Sequence, residues 1–414
     1  MLSTRNIRIA GLGALAFFVL GSYGLARPPI ESIFLAEYGS KSLPWAWLVV
    51  AMGMVAVVGA LQRRLAEMDL ATLFGRVTAA AVALLALLLG ARAAHVPGAA
   101  FLLYVWKDLY IVVLVEVFWT FANSLFQLST ARWIYGFFGV MGSLGSSLGG
   151  FTASWLSKSM HVSAERLPLT LFPTLFVALL ISMWLASRGE PVRAPARSAP
   201  PSIADGIALL RKSSYLPWIF ALICIVQVVI TLVEYQFNGL VEQTYAQVDI
   251  RAQFLGTLYG YTETGALVLH AVTGVVLRVL GVTGTLLAIP SVLGAGLMAF
   301  LAEPRVAVIS AVRVAAKAFD YSLFRNAKEM LYLPLDYDEK TRGKAFSDML
   351  SYRAAKGGAS ALLLVLGALH APQFAVGALA LGLVAVWIGV TVRIVRRYRE
   401  RTATPPAALE VSAS

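Results

Sequence analysis

Two stretches of the chain carry charged and aromatic residues at helical spacing inside otherwise apolar sequence. The first row, with steps of three or four residues, contains Arg313, Lys317, Asp320, Tyr321, Phe324 and Lys328. The second row, with steps of four and an arginine beside it, contains Lys344, Asp348, Tyr352, Arg353 and Lys356. Residues at these steps share one face of a helix, so each row predicts a helix that presents its charges to a common surface.

The residue types in these rows suit an organic anion with a planar part. Arginine binds phosphate or carboxylate through two parallel hydrogen bonds, and lysine acts as a mobile point charge. Tyrosine and phenylalanine rings stack on a base or another planar group. We therefore expect the two helices to contribute to a site for a nucleotide-like anion, with Asp320 and Asp348 holding the basic groups apart until substrate replaces them.

Ionisable residues also occur in other apolar segments. They are Arg27, Glu31, Lys107, Asp108, Glu116, Glu234 and Glu263. Placing such a residue at membrane depth costs roughly 3 kcal/mol, which makes a functional role the first hypothesis. Arg27 and Glu31 are four residues apart and therefore share a helix face. Lys107 and Asp108 neutralise each other only partly, so we expect a substrate or another helix to complete their site.

Some of these charges keep two interpretations. The segment from Glu329 to Lys344, which includes Asp336, is expected either to bind substrate or to form a cytoplasmic gate closed by salt bridges between helices. Direct anion contact and structural pairing are both open for four basic residues: Lys317, Lys328, Arg353 and Lys356. Glu263 and His270, seven residues apart on one helix face, form either a proton-relay pair or separate contacts with neighbouring helices.

The composition predicts a membrane protein. Hydrophobic residues make up 59% of the 414 residues and charged residues only 14%, whereas soluble domains carry about 25% charged residues. The mean hydropathy is +0.75. We therefore expect an all-α polytopic fold, in which the apolar segments provide for about 12 transmembrane helices of about 20 residues each.

A change of composition near the middle of the chain predicts two halves. Arg, Pro, Ala and Ser replace the apolar run from Ser187 to Ser202, as in a flexible linker, and Ile203–Lys212 reads as a short interfacial helix. The predicted organisation is a six-helix half over residues 1–187, a cytoplasmic linker over 188–213, a second six-helix half over 214–395, and a basic and then disordered tail over 396–414. This is the major-facilitator plan, in which substrate sites lie between the halves near mid-membrane.

The placement of the net charge of +12 predicts the orientation. Most basic residues, among them Arg211, Lys212, Arg278 and the tail from Arg393 to Arg401, fall on one side of this topology. The opposite loops hold little more than Lys41, Arg92, Lys158, Arg166, Arg251 and Arg305. By the positive-inside rule, both termini are predicted to be cytoplasmic.

A row of glycines predicts close helix packing rather than a phosphate site. The row consists of Gly136, Gly139, Gly142, Gly145, Gly149 and Gly150. Small residues every three or four positions allow helices to approach closely in membranes, and the row matches neither a GxGxxG motif nor a P-loop.

Other chemistry has little support in the sequence. The single cysteine, Cys224, rules out an intramolecular disulfide, and the four histidines show no metal-ligand spacing. No nucleophile–base pair or metal motif emerges. We expect a protein that is not an enzyme, with no catalytic residues, no metal and no cofactor.

Several strings resemble a known family of transporters. YSLFRNAKEMLYLPLD (321–336), EKTRGKAFSD (339–348) and RAAKGGA (353–359) are similar to the late-helix signature of the bacterial and plastid ATP/ADP translocases. FWTFAN (118–123) and ARWIYGFFG (131–139) resemble two earlier elements of the same family. The resemblance implies a distant member of the major-facilitator type that exchanges nucleotides by alternating access and does not hydrolyse ATP.

The resemblance also carries over individual positions. Arg27 matches a family arginine and Glu234 a family acidic residue, whereas Ile30 or Pro29 stands where the family has a lysine and Lys107 where it has a glutamate. The residues predicted to bind substrate are Arg27, Lys107, Glu234, Arg313, Lys317, Tyr321, Lys328, Arg353 and Lys356. Those predicted to gate or couple transport are Glu31, Asp108, Glu116, Glu263, Asp320, Glu329, Asp336 and Asp348.

Three functions are weighed on this basis. The leading one is a bacterial inner-membrane transporter of nucleotides or a related phosphorylated anion. Its expected partners are that small anion and the lipid bilayer, and neither nucleic acid nor an obligate protein partner is predicted. The second is a proton-coupled major-facilitator transporter of another organic metabolite, with protons taken up by Glu116, Glu234, Glu263 and His270. The third, a membrane sensor or scaffold without transport, leaves the charged rows unexplained.

Overall fold

The regular structure of the chain is helical throughout the part that is described. The computed structural model describes residues 4–65, 67–126, 128–188, 192–193, 203–336, 339 and 343–403, and none of these residues forms a β-strand. The helices of the first part are α1 (Thr4–Tyr38), α2 (Leu43–Leu65), α3 (Leu70–Ala93), α4 (Ala99–Leu125), α5 (Leu128–Ser159) and α6 (Leu171–Ser187). Those of the second part are α7 (Ile203–Lys212), α8 (Leu216–Thr244), α9 (Val248–Ala302), α10 (Val306–Phe319), α11 (Arg325–Leu331), α12 (Lys344–Ala368) and α13 (Gln373–Ala403).

Two features of the second part change the number of long helices, because one helix is interrupted and two others are continuous. Gly281 interrupts α9 with φ 66° and ψ 177°, a left-handed backbone conformation that glycine adopts without steric cost, so α9 is two consecutive helices. A π-helical segment, Asp320–Phe324, joins α10 to α11 without a break. With these adjustments the described residues form six long helices before α7 and six after it.

The helices have the length and composition of membrane spans. Within the described residues, seven helical segments are long and apolar enough to cross a membrane. In lipid, a helix satisfies its own backbone hydrogen bonds, which explains why so apolar a chain folds almost entirely into helices. The prediction of an all-α polytopic fold is confirmed. The helix α7 occupies the predicted residues, and α13 continues to Ala403, past the predicted boundary at 395.

Glycines bring α5 close to α1 and α9. A Cβ on Gly145 would collide with the main-chain oxygen of Phe17, and one on Gly149 with that of Gly21, both in α1. A Cβ on Gly150 would lie 2.9 Å from the main-chain oxygen of Gly256 in α9. The predicted close packing is confirmed here and at Gly142, which faces the Leu20 side chain.

The same prediction is wrong for the first two glycines of the row. A Cβ on Gly136 or Gly139 would meet nothing within 4 Å. Both glycines are exposed, although α5 already contacts α1 between them, where the Phe137 ring lies against Gly13. The spacing of small residues therefore located the crossing but not which members of the row face it.

The two halves are joined most closely at one end of the bundle, formed by residues 32–42, 157–164 and 242–251, which we call the closed end. There the Ser32 hydroxyl donates to the Val248 carbonyl (2.6 Å), and Arg251 donates to the Ser32 carbonyl (3.1 Å). The Ser40 amide donates to a Glu242 carboxylate oxygen at 2.7 Å. These bonds use main-chain groups, so they fix the helix ends of one half against those of the other.

Alanine substitutions in α5 test the glycine contact. We expect Gly149→Ala to lower the melting temperature of the detergent-purified protein, because overpacking a close contact costs about 1–3 kcal/mol. Gly139→Ala is the matched control, and it should leave stability unchanged or raise it, since alanine favours a helix over glycine by about 1 kcal/mol. Equal effects of the two substitutions in a thermal-unfolding assay would contradict the packing described here.

A charged cavity as the candidate functional site

A cavity of about 310 Å³ lies between the two halves. The first half lines it with residues of α1, α2 and α4, and the second with residues of α8, α12 and the helix formed by α10 and its π-helical continuation. Nine of the residues singled out in the sequence line it: Arg27, Glu31, Lys107, Asp108, Glu234, Lys317, Tyr321, Tyr352 and Lys356. Residues from both charged rows and from three other helices therefore meet in one place.

Arg27 connects the two halves at this cavity. Its Nε lies 2.9 Å from Glu31 Oε1, as the four-residue spacing in α1 predicts, and its Nη2 lies 3.1 Å from Glu234 Oε1 in α8. The guanidinium also lies over the ring of Tyr259 in α9, 4.1 Å from its centre. A planar cation with several donors can make all three contacts at once, so Arg27 holds α1 against two helices of the second half.

Glu31 completes the pair formed by Lys107 and Asp108. The Lys107 ammonium lies 2.9 Å from Asp108 Oδ1 and 3.3 Å from Glu31 Oε1. The Tyr259 hydroxyl donates to the other oxygen of Glu31, and the Tyr23 hydroxyl donates to Asp108 at 3.2 Å. Another helix, α1, thus supplies the partner that the two neighbouring charges in α4 need.

Glu234 collects the basic residues of the second half. Its Oε1 accepts from Arg313 Nη2 at 2.9 Å as well as from Arg27, and its Oε2 lies 3.8 Å from Lys317 Nζ. The Arg313 side chain is only 1% exposed and lies between the rings of Phe237 and Tyr259. Arg313 does not line the cavity but lies behind Glu234, where it neutralises the carboxylate.

The charges around the cavity divide unequally between the halves. The first half contributes two cations, Arg27 and Lys107, and two carboxylates, Glu31 and Asp108, so its formal sum is zero. The second half lines the cavity with two cations, Lys317 and Lys356, and with the carboxylate of Glu234, so its formal sum is +1. The lining therefore carries an excess of one positive charge, and the excess belongs to the second half.

Lys356 is the cation with the fewest partners in the cavity. Its ammonium lies 5.8 Å from the ring centre of Trp47, which is in α2 of the opposite half. Within the described residues it forms no ion pair, whereas Lys107 lies within 3.3 Å of two carboxylates. A low-dielectric cavity with an incompletely paired cation attracts an anion.

Other predicted residues lie away from the cavity. Lys328 is buried with its ammonium 5.5 Å from the Tyr352 ring, and Asp320 accepts a hydrogen bond from Gln227. Asp336 is exposed, and Glu116 and Glu263 do not contribute to the lining. The side chains of Arg353 and Asp348 lie outside the described residues.

Two of the alternatives can be compared with these positions. Glu329 forms an ion pair with Lys344, and because both belong to the second half this bridge connects neighbouring helices without connecting the halves. Glu263 is half-buried and His270 is exposed, and no hydrogen bond joins them in the described chain. Separate environments thus fit this pair better than a relay.

The π-helical segment changes the direction of the first charged row. Its extra residue per turn leaves Lys317 and Tyr321 on the cavity but turns Phe324 into the core, where its ring packs edge-on against Trp387 of α13. Such segments are frequent at functional sites. A helical repeat of constant period could not predict this change.

The sequence reasoning missed four aromatic residues of the site: Tyr23, Trp47, Tyr104 and Tyr259. Tyr23 precedes Arg27 by four residues, and Arg27 precedes Glu31 by four, so the same periodicity that revealed the charged rows could have included it. Tyr104, whose ring centre lies 3.8 Å from Lys107 Nζ, precedes that lysine by three. Tyr259 precedes Glu263 by four and carries the same signal, whereas Trp47 carries none.

Comparison with protein families links the chain to transporters. A family model described as TLC ATP/ADP transporter matches residues 97–186 and 301–398. The ADP,ATP carrier protein 1 of Chlamydia pneumoniae is 25% identical over 332 residues, which cover 69% of this chain and 64% of that protein. ADP,ATP carrier protein 2, chloroplastic, of Arabidopsis thaliana is 24% identical over 69% of this chain and 53% of its own length. The matches thus span less than two thirds of these relatives, which are named as carriers and not as enzymes.

Solved structures show the fold. The nucleoside transporter NupG superimposes with a TM-score of 0.61 at 11% identity, covering 97% of this chain and 100% of NupG. A bacterial homologue of the iron transporter ferroportin, in an inward-facing state, gives a TM-score of 0.66 at 12% identity over 95% and 99% of the two chains. The Major Facilitator Superfamily transporter FucP gives 0.55 at 12% identity over 94% and 99%. The chain is an integral membrane protein with the major-facilitator fold.

Replacing one carboxylate tests the charge network. Glu234→Gln leaves three cations facing a neutral amide, and removing one partner of a buried ion pair costs about 3–5 kcal/mol. We expect a large fall in the melting temperature of the purified protein. Glu263→Gln, in α9 and outside the cavity lining, is the matched control and should have a much smaller effect. A fall of the same size in both variants would mean that Glu234 is no more strongly paired than Glu263.

Proposed function

We propose that the protein exchanges adenine nucleotides of the ATP and ADP type across a membrane, because it is similar to the TLC ATP/ADP transporter family and to proteins named ADP,ATP carriers. The observation that carries this proposal is the cavity between the halves, whose lining has an excess of one positive charge contributed by the second half. Lys317 and Lys356 lie in the region 301–398 that matches the family, and Glu234 lies on α8, before that region.

The cavity has the groups that a nucleotide requires. In the described part of the site, Lys317 has only a long ion pair of 3.8 Å with Glu234, and Lys356 has none. We expect these two lysines to contact the phosphates. Tyr321 and Tyr352 line the same cavity and offer rings on which a base can stack. In this proposal Arg27, Lys107 and Glu234 keep the site organised, and Arg313 supports Glu234 from behind.

Alternating access follows from how the halves are joined. The closed end is held by hydrogen bonds from Ser32, Ser40 and Arg251, and near the cavity by the Arg27–Glu234 pair. Opening this end requires these bonds to break while the other end closes around the substrate. A bound anion offers Arg27 and Lys317 another partner than Glu234, so substrate and gate compete for the same cations.

We further propose that the protein lies in a bacterial inner membrane with both termini in the cytoplasm. The side on which α7 and α13 end carries basic residues in numbers, including Arg211, Lys212, Arg278, Arg393, Arg396, Arg397 and Arg399. The opposite ends of the helices carry few, such as Lys41, Arg92, Lys158 and Arg251. This asymmetry is the one that the positive-inside rule associates with a cytoplasmic face.

The second candidate is a proton-coupled transporter of another organic metabolite. It is favoured by Glu263, a half-buried carboxylate on α9 with no hydrogen bond or ion pair in the described chain. Uptake driven by a pH gradient into vesicles without internal nucleotide would support it. A rate of nucleotide exchange that does not change when a pH gradient is imposed would support the first proposal.

Transport into liposomes tests the exchange. Labelled ATP should enter vesicles loaded with ADP and should not enter empty ones. Lys317→Met and Lys356→Met should each raise the KM for ATP about tenfold, because a hydrogen bond to a charged group contributes about 1.5–3 kcal/mol.

The matched control is Lys158→Met, which removes an exposed lysine at the end of α5. It should transport as the parent does. If the cavity variants keep the parental KM while inserting normally, these lysines do not bind the phosphates; if ATP does not enter loaded vesicles at all, the nucleotide proposal fails.

Cysteine labelling tests the orientation. Cys224 is the only cysteine, so single cysteines can be placed in a Cys224→Ser background. In spheroplasts we expect a membrane-impermeant maleimide to label Lys158→Cys but not Arg278→Cys, both exposed positions. In inside-out vesicles the pattern should reverse, and the opposite result would place the termini outside.

A further inference from the structure

A half-buried amide at the edge of the cavity has its nitrogen end already engaged in a hydrogen bond. Gln227 of α8 lines the cavity, and its Nε2 donates a hydrogen bond to Asp320 Oδ1 at 3.0 Å. A carboxylate only accepts hydrogen bonds when ionised, so the amide nitrogen must be the end that faces it. The oxygen of Gln227 is left as the polar atom available to a ligand.

The next polar residue on the same face presents the same kind of atom. Thr231, one turn further along α8, also lines the cavity, and its hydroxyl proton is committed to the main-chain carbonyl of Gln227 at 2.7 Å. Its oxygen can therefore accept a hydrogen bond but has no proton left to donate. The uncharged polar groups of α8 thus offer acceptors to the cavity, and they favour a ligand that brings the donor.

The position of Gln227 suits one end of an elongated substrate. It lies seven residues before Glu234, a separation of about 10 Å along a helix at 1.5 Å per residue. Glu234 is the point where Arg27 and Lys317 meet. Gln227 is near Tyr321 instead, because Asp320, to which it is bonded, is the neighbour of that tyrosine. The phosphates of a nucleotide and its base could therefore occupy the two ends.

We propose that Gln227 recognises the exocyclic amino group of the transported base and that Asp320 is the positioning residue that keeps the amide in the required orientation. This inference rests on the proposed transport of nucleotides. It selects bases with an amino group at C6 of a purine or C4 of a pyrimidine, adenine and cytosine, over hypoxanthine and uracil, which carry a carbonyl oxygen at that position. With hypoxanthine or uracil, the carbonyl oxygen of the base would face the side-chain oxygen of Gln227. Both atoms are acceptors, so no hydrogen bond forms between them and both lose a partner.

The π-helical segment explains why Asp320 can do this. The segment begins at Asp320, and the π turn keeps Tyr321 on the cavity while Asp320 reaches α8. Asp320 does not itself line the cavity. Its influence on a substrate must therefore pass through Gln227, and a change at Asp320 should alter base preference more than phosphate affinity.

The test is competition between nucleotides that differ at this one group. Full-length protein in ADP-loaded liposomes takes up labelled ATP in the presence of unlabelled ATP or ITP, and in a second pair CTP or UTP. In the parent we expect ITP to compete about tenfold less well than ATP, the factor that one hydrogen bond of about 1.4 kcal/mol provides. In Asp320→Asn the new amide can accept or donate a hydrogen bond, so the Gln227 amide can rotate by 180°. The ratio of the ITP concentration to the ATP concentration that halves uptake of labelled ATP should then fall toward one.

Further variants separate this role from a structural one. Gln227→Leu should lose the same discrimination, and the double variant should lose no more than either single one, since both act through one hydrogen bond. Lys356→Met should weaken ATP and ITP by the same factor. Gln243→Leu, an exposed glutamine at the closed end, is the control for the substitution and should keep the parental ratio.

The outcomes distinguish this proposal from the broader one. A parent that transports nucleotides but treats ATP and ITP alike overturns the assignment of Gln227 and leaves nucleotide exchange intact. An unchanged ratio in Asp320→Asn overturns the positioning role. A parent that accepts no nucleotide overturns both proposals together.

Discussion

The cost of placing ionised groups away from water governs the arrangement of this protein. Glu234 is the clearest case, because Arg27 of α1 and both Arg313 and Lys317 of α10 converge on its two oxygens. Removing such groups from water costs several kcal/mol per ion unless partners and hydrogen bonds compensate it. The helices that carry these residues must therefore pack so that the charges meet, and the position of α1 against α8 and α10 follows from that requirement.

The same requirement links the charges to movement between the halves. Arg27 and Tyr259 make bonds that cross from one half to the other, to Glu234 and Glu31 respectively. Neither bond can persist if the closed end separates, and a buried charge left without a partner would oppose that separation. An anion near Lys317 and Lys356 provides replacement partners for the cations, so its binding can lower the cost of the rearrangement. Under the proposed transport, the halves would separate at the closed end only with substrate bound, because the substrate supplies the negative charge that the cations lose.

Much of this could be read from the sequence, and the parts that could not have physical reasons. Spacing along single helices identified the rows with Lys317 and Lys356 and the Arg27–Glu31 pair, because such spacing depends only on helix geometry. Which helices face one another is a property of packing, so the bond from Arg27 to Glu234 and the location of Arg313 behind that carboxylate were not predictable in this way. Nor was the π-helical segment, since it breaks the period on which the prediction relied.

The departures from the family resemblance can be understood from the same charges. Ile30, at or beside the position where the resemblance expects a lysine, is 0% exposed and belongs to the apolar core. Lys107, where it expects a glutamate, is 1% exposed but lies within 3.3 Å of both Glu31 and Asp108. Relative to the resemblance, Ile30 removes one positive charge on α1 and Lys107 adds two on α4, and the first half of this chain is formally neutral around the cavity.

The excess charge that attracts an anion lies elsewhere. It belongs to the second half, where Lys317 and Lys356 fall within the matched region 301–398. The altered positions therefore reshape the neutral wall of the cavity without removing its positive side. If the proposed transport holds, a change of this kind affects which part of a substrate the first half contacts and leaves the basic residues of the second half in place.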